Sequence, residues 1–555
     1  MPRLLSEIQD NFSRGMDDSS APSAHAAAAA ALIENGRIEP DGTISRRYGS
    51  RRKHASAQAD LLGYGATTFT TAAGVLQEIA LFGEYAFMSD DGWATQTQIA
   101  SGLREDYYDF VTMRVGSSNY LFMANGDTTI KRWDGTTWDT LPNAPSGVKY
   151  IELFNERLYA TGHSGVLVQA SKIADPATWA SSDGLTVRVL THDGDSPTGL
   201  HQIGPHLLVF DHHATSYIDG FGEQTLIVAS GATGFSRSVG CVAFRTIVSV
   251  GDDAVCWLGH RGIEYYSART GIVLLTRRIQ TFMNSINHSA IDAARGLPSA
   301  AYDQERQNYH CAVPTLGTQN NRIVVVNLYH RGTGWLGAPS IDLKETESID
   351  AVLLGDDASG YEEEDAAGYG LRSDINGYEV LDTISAGAIP IAADASGYED
   401  EVTDDTFPSS LYMGPGADSD QVLHSQGYDG FVREHGGYDQ DDELVPGGSG
   451  QDITMTVVSR PFVMGSQRRA KRARAVHIAG IQTAAVTYEV GVRASGVLGT
   501  LQDVDLAGTA FNQPDRAPPV MVHGVGDAPA VEVRTTDRSR LALLGLSAEP
   551  TREPL

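Results

Sequence analysis

A recurrent spacing of short strand-like segments is the feature that most constrains the fold of this 555-residue chain. Runs rich in β-branched and aromatic residues, bounded by Gly, Asp and Asn, are typical of short strands joined by turns. When one residue marks each run, neighbouring markers lie 35 to 54 residues apart. A propeller blade of four strands takes roughly 40–50 residues. The markers are Tyr85, Tyr120, Leu158, Leu207, Val255 and Tyr309.

This spacing predicts a mainly β fold, a β-propeller over residues 56–340 with almost no helix. Radially arranged four-stranded sheets bury both faces against their neighbours. Most units also carry a second aromatic strand, with Trp133, Tyr217 or Trp335 as examples, and Asp134-Gly135 marks a hairpin. Unrelated β-sandwiches that share the spacing by accident are the alternative.

Charge is concentrated in one segment of the chain. The 70 acidic and 41 basic residues give a net charge of −29, which argues against attraction of the whole chain to nucleic acid or to an anionic membrane. Residues 340–450 hold 27 of the acids and 3 of the bases. We interpret residues 341–450 as an acidic, Gly-Tyr-rich insertion that faces solvent, forms a negatively charged wall or, although no calcium-loop motif matches, binds calcium.

The two ends of the chain differ from its middle. In residues 1–55, the Ala-rich stretch from Ser23 to Leu32 before Asn35-Gly36 predicts one short helix in an N-terminal arm. Because so short a helix is marginal alone, we expect the arm to pack on a neighbouring subunit, away from its own propeller. Residues 451–555 follow a Gly-rich hinge and alternate as strands do, which predicts a small β domain.

Basic residues in both ends are candidate assembly contacts. The stretch Arg468–Arg474 holds five bases but no interleaved aromatic residues, so we expect salt bridges between subunits and not a grip on DNA. The candidates are Arg46, Arg47 and Arg51 in the arm, and Arg469, Lys471 and Arg472 in the C-terminal domain.

A search for catalytic and ligand-binding motifs finds no convincing active site. The chain has no P-loop, and Gly162-His163-Ser164-Gly165 has the wrong spacing for a nucleophile elbow. Successive strand residues point to opposite faces, so His212 and His213 are not expected to bind one metal ion. A turn or strand end with hydrogen-bonded histidines is the simpler interpretation. The sequence therefore predicts no enzymatic activity, no cofactor and no metal. The remaining histidines of this group are His201 and His206, and the three cysteines, Cys241, Cys256 and Cys311, are expected in the core.

Targeting signals are also absent from the sequence. Polar residues follow Met1, and the longest apolar run, Ala26–Ile33, is far shorter than the ~20 residues of a membrane-spanning helix. We expect a protein that is made in the cytosol and does not insert into membranes.

Short motifs at both ends resemble those of one family. Asn11-Phe12-Ser13-Arg14-Gly15-Met16 followed by Ser45-Arg46-Arg47-Tyr48-Gly49-Ser50-Arg51 is similar to the opening of tail nozzle and tail-tube proteins of short-tailed bacteriophages. Ser459-Arg460-Pro461-Phe462-Val463-Met464-Gly465 and the closing run Leu543-Leu544-Gly545-Leu546 resemble their C-terminal β domain. The likeness covers roughly the first 55 residues and residues 451–546, and the insertion has no counterpart in it.

The resemblance implies a structural virion protein without enzymatic activity or cofactor. A ring of six copies would extend the portal channel as a tail nozzle or hub, retaining the genome and conducting double-stranded DNA without sequence-specific binding. Part of the acidic insertion would then face the channel lumen, and the candidates are Glu362, Glu363, Glu364 and Asp365. Portal or adaptor proteins above and tail fibres or a needle would be its partners, in a virion tail assembled in the host cytoplasm. The alternatives are a propeller module that binds a protein or glycan, and a propeller hydrolase with residues converging on the central channel.

Overall fold

The computed structural model describes most of the chain outside the acidic segment. The described residues are 5–21, 24–39, 41–47, 49–54, 62–165, 167–180, 184–189, 195–219, 227–230, 236–251, 253–315, 317–328, 339–342, 371–373, 379–381, 408–415, 421–427, 431–435, 453–462, 471–481, 486–494, 497–506, 515–516, 520–526, 528–537 and 540–550.

The N-terminal region contributes short strands to two different parts of the molecule. They are β1 (Leu5–Gln9), β2 (Leu32–Glu34), β3 (Gly36–Ile38), β4 (Ile44–Arg46) and β5 (Ser50–Arg52).

Six four-stranded antiparallel sheets then follow one another along the chain, and we number them as blades 1 to 6. Blade 1 is β6 (Gly63–Thr70), β7 (Leu76–Phe82), β8 (Tyr85–Ser89) and β9 (Thr97–Ala100). Blade 2 is β10 (Asp109–Val115), β11 (Ser118–Ala124), β12 (Lys131–Trp133) and β13 (Trp138–Thr140). Blade 3 is β14 (Tyr150–Phe154), β15 (Arg157–Thr161), β16 (Leu167–Ala170) and β17 (Leu185–Arg188). Blade 4 is β18 (Gly199–Ile203), β19 (His206–Phe210), β20 (Thr215–Asp219) and β21 (Ile227–Ser230). Blade 5 is β22 (Val248–Ser249), β23 (Ala254–Gly259), β24 (Gly262–Ser267) and β25 (Gly271–Leu274). Blade 6 is β26 (Ser299–Asp303), β27 (Asn308–Val313), β28 (Arg322–Asn327) and β29 (Pro339–Asp342).

Residues 345–406 form a separate unit, in which β30 (Leu371–Ser373) and β31 (Glu379–Leu381) pair as a hairpin.

A seventh blade combines strands from two distant parts of the sequence. Blade 7 consists of β32 (Pro408–Pro415), β33 (Gln421–Gly427) and β34 (Val432–His435), with β5 from the N-terminal region as its fourth strand.

Blade 7 closes a ring. Its first strand, β32, contacts β26 of blade 6 on one side and β6 of blade 1 on the other. The first strands of blades 1, 2, 3 and 4 also contact one another in order. Blades 4 and 5 pack through Phe210 and Trp257, whose ring centroids lie 5.1 Å apart. The described sheets therefore form a seven-bladed β-propeller. The spacing of the sequence markers predicts a propeller but not the number of blades.

The second strands of the blades are buried on both faces. In β19, β23 and β27 nearly every side chain is buried, because a propeller sheet is covered by neighbouring sheets on both faces. The aromatic markers supply much of this contact area: Tyr309 is buried and its hydroxyl donates a 2.7 Å hydrogen bond to the Thr246 carbonyl. Cys241, Cys256 and Cys311 are buried in these cores, as the sequence predicts.

The C-terminal strands form a second β domain, which we call the terminal domain. They are β35 (Met455–Val458), β36 (Lys471–Ile481), β37 (Val486–Ala494), β38 (Val497–Leu498), β39 (Gln502–Leu506), β40 (Asp515–Arg516), β41 (Val520–Gly526), β42 (Ala530–Thr535) and β43 (Arg540–Pro550). One sheet has the order β3-β4-β43-β36-β40, with β1 on β43 and β41 on β36; the other has the order β2-β35-β42-β37-β38, with β39 on β37. One apolar core shared by N-terminal and C-terminal residues joins them, including Phe12, Ile33, Val476, Tyr488 and Leu544.

The expected N-terminal helix is absent from the described residues. Residues 24–34 form turns and the strand β2, which pairs with β35 of the terminal domain. The described helices are short ones between blades 5 and 6, α1 (Gln280–Met283) and α2 (His288–Ala293), and a 3₁₀ turn, Phe244–Thr246. Pairing with an available strand edge satisfies the backbone of this segment, and tertiary context has overridden the helix propensity of alanine.

The arm also packs on its own propeller, so the expectation that it packs away from that propeller is wrong. Met16 is buried in the core formed by blades 5 and 6. The Asp18 carboxylate accepts hydrogen bonds from the backbone N–H groups of Thr281 and Phe282, at 3.2 and 2.8 Å. The division at residues 340 and 451 also differs from the structure, because the strands β32, β33 and β34 belong to blade 7. No described helix has the length and apolar character needed to cross a bilayer.

Candidate functional site

Antiparallel blades bring particular loops to one end of the propeller. Strands alternate in direction, so the turns between second and third strands share an end with the connections between successive blades. In blades 4 and 5 these turns are residues 211–214 and 260–261, and the adjacent blade connections contain Asp195 and α2. Residues from four separate loops therefore meet above neighbouring blades.

Three histidines come together at this end, and we call them the histidine cluster: His212, His213 and His260. Their potential ligand atoms all lie within 4.8 Å of one another. His260 Nε2 is 3.3 Å from His212 Nδ1, and the His213 and His260 rings stack with centroids 4.9 Å apart. His212 is largely buried, whereas His213 and His260 are exposed.

Two carboxylates flank the cluster. His213 Nδ1 donates to Asp195 Oδ2 at 3.3 Å, and His212 Nε2 lies 3.1 Å from Asp292 Oδ1. A carboxylate on one ring nitrogen fixes a proton there and directs the lone pair of the other nitrogen inward. Asp195 thus favours the tautomer in which His213 Nε2 is an acceptor, and Asp292 places a negative charge beside His212 Nε2.

The surroundings lower the pKa of two histidines of the cluster. The ring of His260 is partly desolvated where it packs on its neighbours although the residue is exposed, and this desolvation, with His212, His213 and His288, lowers the pKa of His260 to about 4. Burial and the Arg295 guanidinium lower the pKa of His212. At neutral pH His212 and His260 are therefore uncharged, the form in which histidine binds a metal ion.

A cavity of about 520 Å³ lies among the first strands of blades 1, 2, 5, 6 and 7. Its wall includes Asp109, Arg245, Tyr302, Tyr412 and Met413. A concave, mixed apolar and polar cavity at the centre of a propeller is the kind of place where small ligands bind.

Asp109 and Arg245 give this cavity its polar character. The Asp109 carboxylate accepts hydrogen bonds from the backbone N–H groups of Ile151 and Phe110, at 2.9 and 3.0 Å, yet burial raises its pKa to about 8. Arg245 donates to the carbonyls of Gly296 and Ser409, at 2.8 and 3.1 Å. Arg245 therefore connects backbone from blade 7 and from the segment before blade 6, which is a structural use of its charge.

Three of the predicted assembly residues are buried. Arg46 is buried and donates to the Thr536 carbonyl at 2.7 Å, and Arg47 is buried and donates to Asn35 Oδ1 at 2.8 Å. Lys471 is 1% exposed. These three side chains lie inside their own subunit, so the expectation that they contact another subunit is wrong.

The remaining predicted residues are exposed or undescribed. Arg472 is exposed on β36, and the backbone of Arg51 pairs with Glu434 in blade 7. Arg469 and the acidic group Glu362, Glu363, Glu364 and Asp365 lie outside the described residues. Their roles stay predictions.

The histidine cluster itself was missed from the sequence. The strand-alternation argument fails because His212 and His213 lie in the turn between β19 and β20, where successive side chains can point the same way. His260 occupies the equivalent turn of the next blade, 48 residues later. A repeated turn position with histidine in adjacent units is a signal that aligning the blades would have revealed. His201 and His206 lie elsewhere, near Glu152 and Asp219.

Comparisons with known proteins find similar folds only. No protein-family model matches the chain, and no curated protein matches its sequence. A chain in the crystal structure of a mitotic checkpoint complex is similar over 71% of this chain and 94% of its own, with 10% identity and a TM-score of 0.40. A catalytically inactive virginiamycin B lyase from Staphylococcus aureus with quinupristin is similar over 70% and 99%, with 11% identity and a TM-score of 0.37. Likenesses at this level carry no functional argument.

Proposed function

We propose that this protein is a structural virion component, a ring-forming subunit of the tail nozzle or hub of a short-tailed bacteriophage. The observation that carries the proposal is that residues from both motif-bearing ends of the chain, separated by about four hundred residues, share the sheets and the apolar core of the terminal domain. The resemblance rests on these ends, and their joint folding supports it.

Three residues of the opening motif have defined structural roles. Phe12 is buried in the terminal-domain core, Gly15 adopts a φ of 65°, and Met16 enters the propeller core. A φ in that range favours glycine, because a Cβ would be strained there. The segment therefore turns sharply from the terminal domain to the propeller and fastens the two.

The second motif contacts the first strand of the chain. The Arg460 guanidinium pairs with Glu7 at 2.6 Å, and the Arg460 backbone N–H donates to Gln9 Oε1 at 3.0 Å. Phe462 is fully buried in the terminal-domain core. The second motif is thus held by the strand that immediately precedes the opening motif.

The terminal domain also presents two unlike edges of one sheet. Among the described strands, β1 pairs only with β43 and β41 pairs only with β36, so they lie toward opposite edges. Each carries a large exposed apolar side chain: Ile8 is 50% exposed and Met521 is 61% exposed. A head-to-tail ring needs two different surfaces on each subunit, and these edges supply them.

In this role the ring extends the portal channel, retains the genome and conducts double-stranded DNA during ejection. Portal or adaptor proteins above and tail fibres or a needle below are its proposed partners, in a virion tail assembled in the host cytoplasm. The role is structural, without catalysis or a resident cofactor. Contact with DNA in such a conduit is independent of base sequence, because the polymer must slide.

Native mass spectrometry of the purified full chain tests the ring. We expect a major species of six chain masses, with Ile8→Glu and Met521→Glu shifting it to monomer because both side chains lie on the proposed interface. Ile173→Glu is the matched control, since Ile173 is 45% exposed but belongs to blade 3's outer loop. A monomer at all concentrations, or equal effects of all three variants, would argue against the proposal.

The central cavity favours one second candidate, a propeller module that binds a glycan or another small polar ligand. Asp109 and Tyr302 could supply hydrogen bonds there, and Met413 an apolar contact. A monomeric chain that binds a glycan, and loses that binding in Tyr302→Ala, would support this candidate over the ring.

A further inference from the structure

We propose that His212, His213 and His260 form a binding site for one divalent transition-metal ion of the zinc class, which clips blade 4 to blade 5. The inference goes beyond the proposed virion role and does not depend on it. Imidazole suits zinc, nickel and copper, whereas magnesium and calcium prefer oxygen ligands.

The first step of the argument is the distance between the two closest nitrogens. Zn–N bonds are about 2.0–2.1 Å long, so two ligands on a tetrahedral ion lie roughly 3.3–3.4 Å apart. His212 Nδ1 and His260 Nε2 are 3.3 Å apart. The pair already has the spacing of one edge of a tetrahedral site, and the remaining ligand atom lies within 4.8 Å of both.

The flanking carboxylates supply the second step. Asp195 accepts a hydrogen bond from His213 Nδ1, so the outward nitrogen of His213 carries the proton, and Asp292 Oδ1 lies 3.1 Å from His212 Nε2. His212 Nδ1 and His260 Nε2 share a hydrogen bond, and a cation would replace the proton between them. Outer carboxylates that orient ligating histidines are a usual part of metal sites.

The position of the cluster supplies the third step. The two turns belong to adjacent blades, and His213 and His260 are exposed, so an ion can reach them from solvent. A water molecule would complete the fourth position, because Asp195 and Asp292 lie against the outward nitrogens of His213 and His212. An ion held there would join two blades at one end of the propeller, where α2 also contributes Asp292.

Calorimetric titration of the chelator-stripped full chain with ZnCl₂ tests the site. Millimolar Mg²⁺ in the buffer occupies the carboxylates of the acidic segment, which would otherwise contribute nonspecific heat. We expect one saturable zinc site per chain, and Co²⁺ substitution should give the visible absorption of a tetrahedral ion. Zinc should also raise the thermal midpoint of unfolding of the wild-type chain.

Variants assign the ligands. His212→Ala and His260→Ala should weaken zinc binding by more than the roughly 10–100-fold that loss of an outer partner costs, and Asp292→Asn should fall within that range. His163→Ala is the matched control, because His163 contacts Gln169 at 3.0 Å outside the cluster. His213→Gln, at an exposed position, replaces His212→Ala if the latter fails to fold. Absence of a saturable site in the presence of Mg²⁺, or unchanged affinity in the cluster variants, would overturn the proposal.

Discussion

Closure of the propeller between blades 1 and 7 depends on a buried carboxylate, Glu78. Replacing Glu78 by glutamine tests that dependence. Glu78 lies on β7 of blade 1 and is 2% exposed. Its Oε2 accepts hydrogen bonds from Trp93 Nε1 at 3.0 Å, Tyr412 at 2.9 Å and His424 Nδ1 at 2.9 Å. Tyr412 and His424 belong to blade 7, so this one oxygen links the first blade to the last.

The expected magnitude follows from the three bonds. A hydrogen bond to a charged group contributes about 1.5–3 kcal/mol net, and a neutral one about 1 kcal/mol. Glu78→Gln keeps the shape but removes the charge, so each bond should lose roughly 0.5–2 kcal/mol, and the three together ~1.5–6 kcal/mol. Asp139→Asn, at an exposed pair with Arg132, should leave stability near that of the wild type.

Hydrogen exchange read out by mass spectrometry measures the effect where it occurs. In Glu78→Gln, amides of β32, β33 and β5 should exchange faster than in the wild type, while those of β42 and β43 should not change. The faster exchange reflects opening of blade 7 from blade 1. Unchanged protection in blade 7, or a uniform loss across both domains, would refute the role assigned to Glu78.

The same variant predicts a pH dependence. Burial alone would raise the pKa of Glu78, but the hydrogen bond and charge of His424, with Lys53 and Tyr412, hold that pKa below its usual value of 4.5. A carboxyl whose folded pKa is lowered stabilises the protein above the unfolded value, and the effect disappears as pH falls through the folded value. The stability advantage of the wild type over Glu78→Gln should therefore shrink below about pH 4.5.

Three further changes have expected outcomes. Because burial raises the pKa of Asp109 from 3.8 to about 8, the folded chain holds a proton that the unfolded chain releases, so stability should fall as pH rises across that range; thermal melts of Asp109→Asn should lack this slope. Phe12→Ala should cost the terminal domain about 3–5 kcal/mol in urea unfolding, and a loss under 1 kcal/mol would contradict its core position. Arg46→Ala should lower the free energy of unfolding by ~1.5–3 kcal/mol, because it removes the hydrogen bond to the Thr536 carbonyl. If stability is unchanged and native mass spectrometry shows a smaller assembly, Arg46 is an assembly contact after all.

The repeating part of the propeller can be predicted from the sequence. The markers Tyr120, Leu158, Leu207, Val255 and Tyr309 all fall on the second strand of their blades. These strands are local, contiguous and buried on both faces, so composition and turn residues suffice to find them. Tyr85 falls on a third strand instead, which accounts for the short first step in the spacing.

Long-range pairing is what the sequence does not reveal. Blade 7 takes β5 from residues 50–52 and its other strands from residues 408–435, within a stretch whose acidic composition indicates a solvated insertion. The partner of an isolated three-residue strand is fixed by tertiary packing and not by local propensity. The Ala-rich stretch near Ala30 fails as a helix for the same reason, because β2 finds its hydrogen-bond partners in β35.

The candidate site has a similar limit. Histidine spacing alone does not say that two turns from successive blades meet, and only the closed ring places His260 beside His212. Burial of Arg46, Arg47 and Lys471 was equally hidden, since runs of basic residues usually indicate a solvated surface.

Negative-stain electron microscopy of the purified full chain tests the central claim most directly. If the protein is a nozzle or hub subunit, class averages should show closed rings with six-fold symmetry and an open centre, each unit matching one 59.4 kDa chain. Ile8→Glu should abolish the rings and leave single propellers. Wild-type images that contain only single, unsymmetrical particles at every concentration would contradict the account.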